Sequence, residues 1–548
     1  MRKFLVTAVF AFVTVAMLAP PVLAQAPAPK VTITGLFDQV TSASSNVQDG
    51  SFGRTSDKEW YATTRFRPDI VFEVGRTKAV LGLEIDLTYG QTNACGGGPG
   101  KNVGAAAATE AGCTASAANA AAGVVHGGDT ASAGLNTDVT GVIEIKWMYT
   151  EFDLTGKDSL LPMIPVPTVA RLGLQPFAGL ANYKVAYANG DFAGVSAVTT
   201  FAPNLRTNLA YVFVEDELAG GDRGAAGLKN TRGNDFALII SPEYTVFKGL
   251  DVKPLYSFFY AEGATSGNAR RSAADVHIVG GTTAGAAAFG AASNPNGAPA
   301  FHENRHTFGA DASWRMGPWG LDPTVYYQWG TRDVEAIDID GKTKRLETKM
   351  SSWLFDAIGS YQLGPLLLEA RGVYSTGNKA RDNLSRKIYY FEPLDLDTSY
   401  YATWTSILGL GVDYKSGCSA GTQGMCTNVG YDRYGRAQFG ARATYALTPA
   451  LSGWVAVNPT WAAEKVDTNT SPARAHITGP IEGDSRYIGT ESSIGFTWKF
   501  APNVAFDWSG AYLAAGKALD TSELLNGVLV KRKADDGYLA SARLRLSF

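Results

Sequence analysis

The sequence predicts an all-β protein, an antiparallel up-and-down β-barrel of about 18 strands that spans a membrane. Three observations predict this fold. Segments of roughly nine to eleven residues, the length of a tilted membrane-crossing strand, alternate apolar and polar side chains. Short turns rich in Gly, Pro and Asn alternate with long loops. The mean hydropathy is only −0.06 although 11% of the 548 residues are aromatic, as expected if every second position is apolar.

Charge and hydropathy argue against two other classes of protein. The 48 basic and 51 acidic residues give a formal net charge of −3, whereas a nucleic-acid-binding protein usually has a basic excess. A helical membrane protein needs repeated apolar runs of ~20 residues. The one candidate run in this chain lies at the N-terminus.

The N-terminal run is interpreted as a signal peptide covering residues 1–24. Arg2 and Lys3 precede the apolar stretch, and small residues suited to cleavage follow it. A retained membrane anchor is the alternative, but prolines directly after the apolar stretch disfavour it. Residues 25–30 are then a short periplasmic lead, and residues 31–548 form the barrel.

Each strand is predicted from a period-two segment that ends at a turn signal. In the first hairpin, Phe66 and Phe72 lie on one face, Arg65 and Arg67 lie on the other, and Gly75 begins a tight turn. The same reasoning predicts strands over residues 31–40, 59–74, 79–90, 141–154, 168–177, 192–201, 205–214, 235–247, 250–261, 305–316, 321–332, 351–363, 366–377, 436–447, 451–463, 487–500, 504–515 and 537–548. The short turns are expected on the periplasmic side and the long loops on the extracellular side.

In the strand over residues 141–154, Trp147 and Tyr149 are expected to face outward with Ile145, against Lys146 on the inner face. Tryptophans and tyrosines in or beside the strands could form aromatic girdles at the membrane interfaces.

The long loops are predicted at residues 91–140, 262–304 and 378–435. The last is the least regular stretch, and its segment 401–414 has a strand-like alternation. It extends above the membrane, folds into the pore, or adds a hairpin, so that 16 or 20 strands are the alternatives to 18.

Four cysteines suit an oxidising compartment. Cys95 and Cys113 lie in one Gly/Ala-rich loop, and Cys418 and Cys426 lie in another, which predicts two local disulfides. No histidine stands near either pair at metal-ligand spacing, so a metal site is not expected there.

The final segment, 537–548, places Leu544, Leu546 and Phe548 on one face and Arg543 and Arg545 on the other. This strand resembles the closing strand of a bacterial outer-membrane β-barrel of the porin-like family. The resemblance implies an outer-membrane location, contact with membrane lipid and lipopolysaccharide, and Phe548 as part of the signal read by the barrel-insertion machinery. Since general porins are commonly trimers, it also implies a possible homotrimer.

Charged side chains recur on the faces expected to point inward. A basic side chain on the lipid face would cost roughly 2–4 kcal/mol near the midplane, which favours a wet, charged lumen. The pore-lining candidates are Arg65, Arg67, Asp69, Glu73, Glu84, Asp86, Glu144, Arg171, Arg206, Asp356, Glu369, Arg371, Arg442, Asp507, Arg543 and Arg545. The alternative is that most of them are solvated wall residues or pair with one another.

The leading hypothesis is a porin-like channel through which ions and small polar solutes diffuse passively. The alternative is a substrate-selective uptake or polymer-export channel, resembling the monomeric alginate-export barrel, which an unbroken ladder of arginines would favour. General porins fold an early loop into the pore, but the loop over residues 178–191 is short here. The sequence therefore does not identify the loop that constricts the pore.

A barrel enzyme or an adhesin is the remaining alternative. No catalytic residues are predicted, since no nucleophile stands out beside a base. His302 and His306 are four residues apart, but only His306 is expected in a strand and a metal site needs further ligands. No cofactor and no metal are therefore expected.

Overall fold

The structure is a computed structural model that describes residues 28–47, 58–89, 141–177, 179–180, 183–184, 186–188, 190–215, 235–262, 300–337, 343–380, 387–394, 404–409, 434–469 and 482–548. The predicted signal peptide lies outside these residues. So do Cys95, Cys113, Cys418 and Cys426, and both disulfides stay predictions.

Eighteen strands close into one antiparallel barrel, as predicted. The barrel strands are β1 (Lys30–Ser45), β2 (Lys58–Val74), β3 (Thr77–Tyr89), β4 (Gly141–Thr155), β5 (Thr168–Pro176), β6 (Asp191–Ala202), β7 (Leu205–Glu215), β8 (Asp235–Phe247), β9 (Leu250–Glu262), β10 (Ala300–Met316), β11 (Trp319–Ile337), β12 (Thr343–Leu363), β13 (Leu366–Ser375), β15 (Arg436–Thr448), β16 (Leu451–Val466), β17 (Ser485–Ala501), β18 (Val504–Ala515) and β21 (Gly537–Ser547). Each pairs with the next, and β21 returns to β1 in a register that runs from Leu36↔Ser547 to Ser45↔Tyr538. Closure leaves no unpaired strand edge in lipid.

Short turns join the hairpins at one end of the barrel, here called the turn end. Asn503 in the β17–β18 turn has φ 59°, and Gly364 in the β12–β13 turn has φ 55°. Left-handed backbone of this kind favours Gly and Asn, which explains why these residues mark the turns in the sequence. The strand ends that precede and follow the long connections lie at the opposite end, the loop end.

Side chains on the barrel strands alternate between an exposed apolar outer face and a covered inner face. In β12, Trp353 and Phe355 are 41% and 44% exposed, whereas Leu354 and Asp356 are 0% and 2% exposed. Large apolar side chains are exposed on strands around the barrel. An apolar surface of this extent is suited to hydrocarbon rather than water. The prediction of a transmembrane barrel is therefore confirmed.

Smaller elements lie at the loop end and inside the barrel. Among the described residues they are β14 (Lys387–Ile388), which pairs in parallel with β12, the hairpin of β19 (Thr521–Leu525) and β20 (Val528–Arg532), and one turn of 3-10 helix, Lys517–Leu519. No helix in this part of the chain is long and apolar enough to cross a membrane.

The predicted outward orientation of Trp147 and Tyr149 is wrong. Gly82 of β3 pairs with Trp147 and Leu83 pairs with Ile145, so Lys146 is an extra residue, a β-bulge. The bulge shifts the alternation by one, and Trp147 points inward, where its indole N–H donates to Asp191. Met148, not Tyr149, lies on the outer face of β4, with 53% of it exposed.

Two further expectations are also corrected. The loop predicted over residues 262–304 is shorter, because β9 extends to Glu262 and β10 begins at Ala300. His302 therefore lies in a strand, not in a loop. Of the three alternatives for the stretch that contains segment 401–414, the described residues 404–409 follow the second, because they are not a strand and fold into the barrel.

Candidate functional site: the barrel lumen

Three segments enter the lumen from the loop end. The first, the β5–β6 segment, covers residues 177–190, of which 178, 181, 182, 185 and 189 are not described. The second and third, the 387–394 segment and the 404–409 segment, both belong to the loop predicted over 378–435. Buried apolar side chains from all three contribute to clusters inside the barrel, so the lumen is not only charged.

The β5–β6 segment packs on the inner face of β9–β12. Its Tyr187 hydroxyl donates to Ser257 Oγ at 2.7 Å, and the Tyr183 amide donates to Asp311 Oδ2 at 2.7 Å. The Lys184 ammonium lies 3.0 Å from Asp356 Oδ2. Burial lowers the pKa of Lys184, and the attraction of Asp356 opposes part of that change.

A second lysine holds the β5–β6 segment from the wall. The Lys253 side chain of β9 is 0% exposed, donates to the carbonyl of Gly179, and lies 3.8 Å from Glu243. Its ammonium is 5.2 Å from the ring centroid of Tyr183. A buried ammonium with these partners fixes the backbone it contacts.

The 387–394 segment is held by a buried ionic cluster on β10 and β11. Arg332 lies 2.7 Å from Glu303 and 2.7 Å from Glu392, and Arg305 lies 3.3 Å from Glu392. All four side chains are 0% exposed. Gln328 adds a pair of hydrogen bonds with the Glu392 backbone, accepting from its amide at 2.9 Å and donating to its carbonyl at 2.7 Å.

The 404–409 segment packs on a different part of the inner wall, β15–β17. Asn458 donates to the Trp404 carbonyl at 2.8 Å, and the Arg442 guanidinium lies 5.1 Å from the Trp404 ring centroid. Ile407 and Leu408 are fully buried. Hydrogen bonds and ion pairs hold the three segments on β9–β12 and β15–β17, and buried apolar side chains of β7, β8, β18 and β21 belong to the same clusters.

The inner faces of β21 and β1–β4 carry a dense set of charges, here called the charged wall. Glu84 accepts contacts from Arg65 at 3.0 Å, Arg67 at 2.6 Å and Lys146 at 3.3 Å. Arg543 lies 2.8 Å from Asp38. Cations on this wall therefore share carboxylates on neighbouring strands.

Most predicted pore-lining residues are found in cross-strand ion pairs. These pairs are Arg171–Glu151, Arg206–Glu243, Arg371–Asp356, Arg442–Glu369, Arg545–Asp507 and Lys30–Glu73. Asp69 lies beside Gly82 and Trp147. The side chains of Asp86 and Glu144 lie outside the described residues. That these residues line a conducting pore stays a prediction.

Sequence reasoning missed the residues that anchor the inserted segments. The strands β10 and β11 extend beyond their predicted ends. As a result Glu303 lies outside the predicted strand, and Arg305 and Arg332 are its terminal residue and that of the next strand. Glu392 and Lys184 lie in irregular segments without any period. Only the alternation of Glu303 and Arg305 along β10 could have signalled part of this cluster.

The two histidines of β10 lie on the outer face among aromatic residues. The His306 ring stacks on Trp329 with centroids 5.2 Å apart, and its Nδ1 is 2.9 Å from the Tyr256 hydroxyl. His302 packs edge-on against Tyr260 at 5.3 Å. The described residues contain no group of three or more potential metal ligands.

No known family model and no curated protein matches the sequence. Solved structures match at low identity along nearly the whole chain. Acinetobacter baumannii OccAB4 is 9% identical, with 94% of this chain and 98% of that chain covered and a TM-score of 0.46. A BenF-like porin from Pseudomonas fluorescens Pf-5 is 10% identical, with 95% and 98% covered and a TM-score of 0.45. Pseudomonas aeruginosa OccK8 (OprE) is 10% identical, with 95% and 98% covered and a TM-score of 0.45.

Proposed function

We propose that this chain is a porin-like channel of the outer membrane, not an enzyme, and that ions and small polar solutes diffuse through its lumen. The observation that carries the proposal is the contrast between the two faces of one closed barrel. The outer face is apolar and exposed, whereas the inner face of β21 and β1–β4 is charged. Charges of this density suit a water-filled passage better than a dry core.

The route proposed for solutes runs along the charged wall. The β5–β6, 387–394 and 404–409 segments fill other parts of the lumen, and together they would act as the constriction. Each described cation of the charged wall contacts a carboxylate. Positive and negative side chains therefore lie next to one another, and the electrostatic field at the wall does not favour one ion strongly.

A substrate-selective uptake channel is the second candidate, and one observation favours it. Arg545 of β21 is in register with Asp38 of β1, which is in register with Arg65 of β2. Arg543 and Arg67 lie two residues away on the same faces, so four arginines form a row across three adjacent strands. Guanidinium groups in a row suit stepwise binding of carboxylate or phosphate groups.

The partners proposed for the barrel are outer-membrane lipid and lipopolysaccharide, the insertion machinery, and two further copies in a homotrimer. Phe548 supports the role of the last residue in insertion, because it is 44% exposed and stacks on Phe66 with centroids 6.1 Å apart. Its backbone also pairs with Gly35 at the β1–β21 seam, with N–O distances of 2.9 and 3.0 Å.

Single-channel recording in planar bilayers tests the proposal. A refolded barrel should give steady conductance steps in simple salt, and a salt gradient should give a small reversal potential. Closure by one class of anion at low concentration would favour the selective channel. A folded barrel that inserts but passes no current would contradict both.

A further inference from the structure

One buried carboxylate contacts three backbone amides of the 404–409 segment. Glu491 of β17 is 0% exposed. Its Oε1 accepts from the Ser406 amide at 2.5 Å, and its Oε2 accepts from the Ile407 and Leu408 amides at 3.1 and 2.9 Å. Three successive backbone N–H groups thus converge on one side chain, in the arrangement that forms an anion-binding concavity.

This arrangement differs from the other carboxylates of the lumen. Glu84, Asp38 and Glu369 each have an arginine partner, whereas no basic side chain among the described residues forms an ion pair with Glu491. A buried carboxylate is costly unless it is well hydrogen-bonded. The three amides of the segment offset the free-energy cost of burying the Glu491 charge, so this stabilisation depends on the position of the segment.

The three inserted segments are anchored by different kinds of contact. Ionic contacts from several wall residues hold the β5–β6 and 387–394 segments, including Lys253, Asp356 and Arg332. In the 404–409 segment, Glu491 accepts from three successive amides, and Asn458 at 2.8 Å and Ser493 at 3.4 Å donate to the Trp404 carbonyl. Loss of Glu491 would leave three buried amides unpaired in this segment.

We infer that Glu491 is the positioning residue that keeps the 404–409 segment in the lumen, and that the position of this segment sets the width of the constriction. The inference rests on the proposed channel function for its effect on current. The position of the segment itself can be measured without any current.

The test compares Glu491→Ala with Asp507→Asn in the full-length refolded barrel. Asp507→Asn also removes a lumen carboxylate, which pairs with Arg545 of the adjacent strand β21 at 2.7 Å. This substitution leaves the hydrogen bonds between Glu491 and the 406–408 amides intact. Hydrogen exchange of the Ser406–Leu408 amides should accelerate by at least about tenfold in Glu491→Ala, because each amide loses a buried partner. The same amides should be unchanged in Asp507→Asn.

Single-channel conductance is the second readout. Glu491→Ala should give larger or fluctuating steps, and Asp507→Asn should change ion selectivity without the fluctuations. Glu491→Gln, which keeps one acceptor oxygen, should lie between wild type and Glu491→Ala in both readouts. Heat-modifiable migration on gels verifies that each variant is a folded barrel.

If the 406–408 amides stay protected in a folded Glu491→Ala barrel, the inference that Glu491 positions this segment would be overturned. Accelerated exchange with unchanged conductance would overturn the role of the segment as a constriction. A wild-type barrel without current would contradict the proposed function, while the exchange result would still decide whether Glu491 positions the segment.

Discussion

At the scale of single residues, buried and exposed charges of this barrel differ in what they stabilise. Arg332 contacts one carboxylate on a strand, Glu303, and one in the 387–394 segment, Glu392. All three side chains are 0% exposed. Arg486 and Glu464 form a pair at 3.0 Å in which the arginine is 52% exposed. Only the first arrangement leaves an uncompensated buried charge when one member is removed.

Arg332→Ala should therefore lower the free energy of unfolding by about 3–5 kcal/mol and loosen the 387–394 segment. Arg486→Ala is the matched control, and it should cost less than ~1 kcal/mol because water screens that pair. Urea unfolding of both variants in the same detergent measures the difference. Equal stabilities would contradict the structural role given to the cluster.

Gly440 makes room for the Trp404 ring. A Cβ atom at this position would clash with Asn458 Oδ1 and lie 2.9 Å from that ring, so Gly440→Ala should displace Asn458 and Trp404 and cost about 1–3 kcal/mol. Gly372→Ala is the control, since a Cβ there would meet no atom within 4 Å. Tryptophan fluorescence and urea unfolding check the change. An unshifted spectrum with unchanged stability in Gly440→Ala would show that the ring does not lie against Gly440.

Alternation in the sequence located many of the interior charges. Arg65, Arg67 and Arg543 were predicted inward, and each contacts a carboxylate on a neighbouring strand. Alternation predicts the wrong face for Trp147, because the extra residue of a β-bulge reverses the orientation of the side chains that follow it in the strand. A bulge leaves no signal in apolar spacing when aromatic residues occupy both faces.

At the scale of elements, strands and turns could be predicted while the inserted segments could not. A barrel strand has its own period, and a two-residue turn needs particular residues. The 387–394 segment lacks both signals, and the strand-like alternation of segment 401–414 does not correspond to a strand over residues 404–409. The positions of both segments depend on wall residues far away in sequence, such as Gln328 and Glu491. Their apolar residues also resemble lipid-facing ones.

The β17–β18 turn offers a test of local backbone preference. Asn503 has φ 59°, a conformation that β-branched residues adopt poorly. Asn503→Val should destabilise the barrel by about 1–2 kcal/mol, whereas Asn503→Gly should be nearly neutral. Thermal loss of heat-modifiable migration compares the two variants. A Val variant as stable as the Gly variant would exclude a left-handed residue at this turn.

At the scale of the whole molecule, closure of the sheet follows from the sequence and the filling of the barrel does not. An even number of strands, an apolar outer face and charges inside form one consistent solution for a sheet in lipid. The inside must also pack the β5–β6, 387–394 and 404–409 segments, which adds buried apolar residues such as Ile239 and Phe259 to the inner face. In the sequence, these inner positions look the same as outer ones.

The balance of charge on the charged wall determines the selectivity expected of the whole channel. Glu84 is shared by Arg65, Arg67 and Lys146 at 3.0, 2.6 and 3.3 Å, so replacing both arginines leaves one cation for this carboxylate. The double variant Arg65→Gln/Arg67→Gln should make the lumen more negative and shift the reversal potential in a salt gradient toward cation selectivity. Arg486→Gln at the exposed Glu464 pair is the control, and it should leave the reversal potential close to that of wild type. The shift should survive at high salt better than a surface effect would, because a confined charge is screened less than an exposed one. A double variant with the selectivity of wild type would place the ion path elsewhere in the barrel, away from β1–β4.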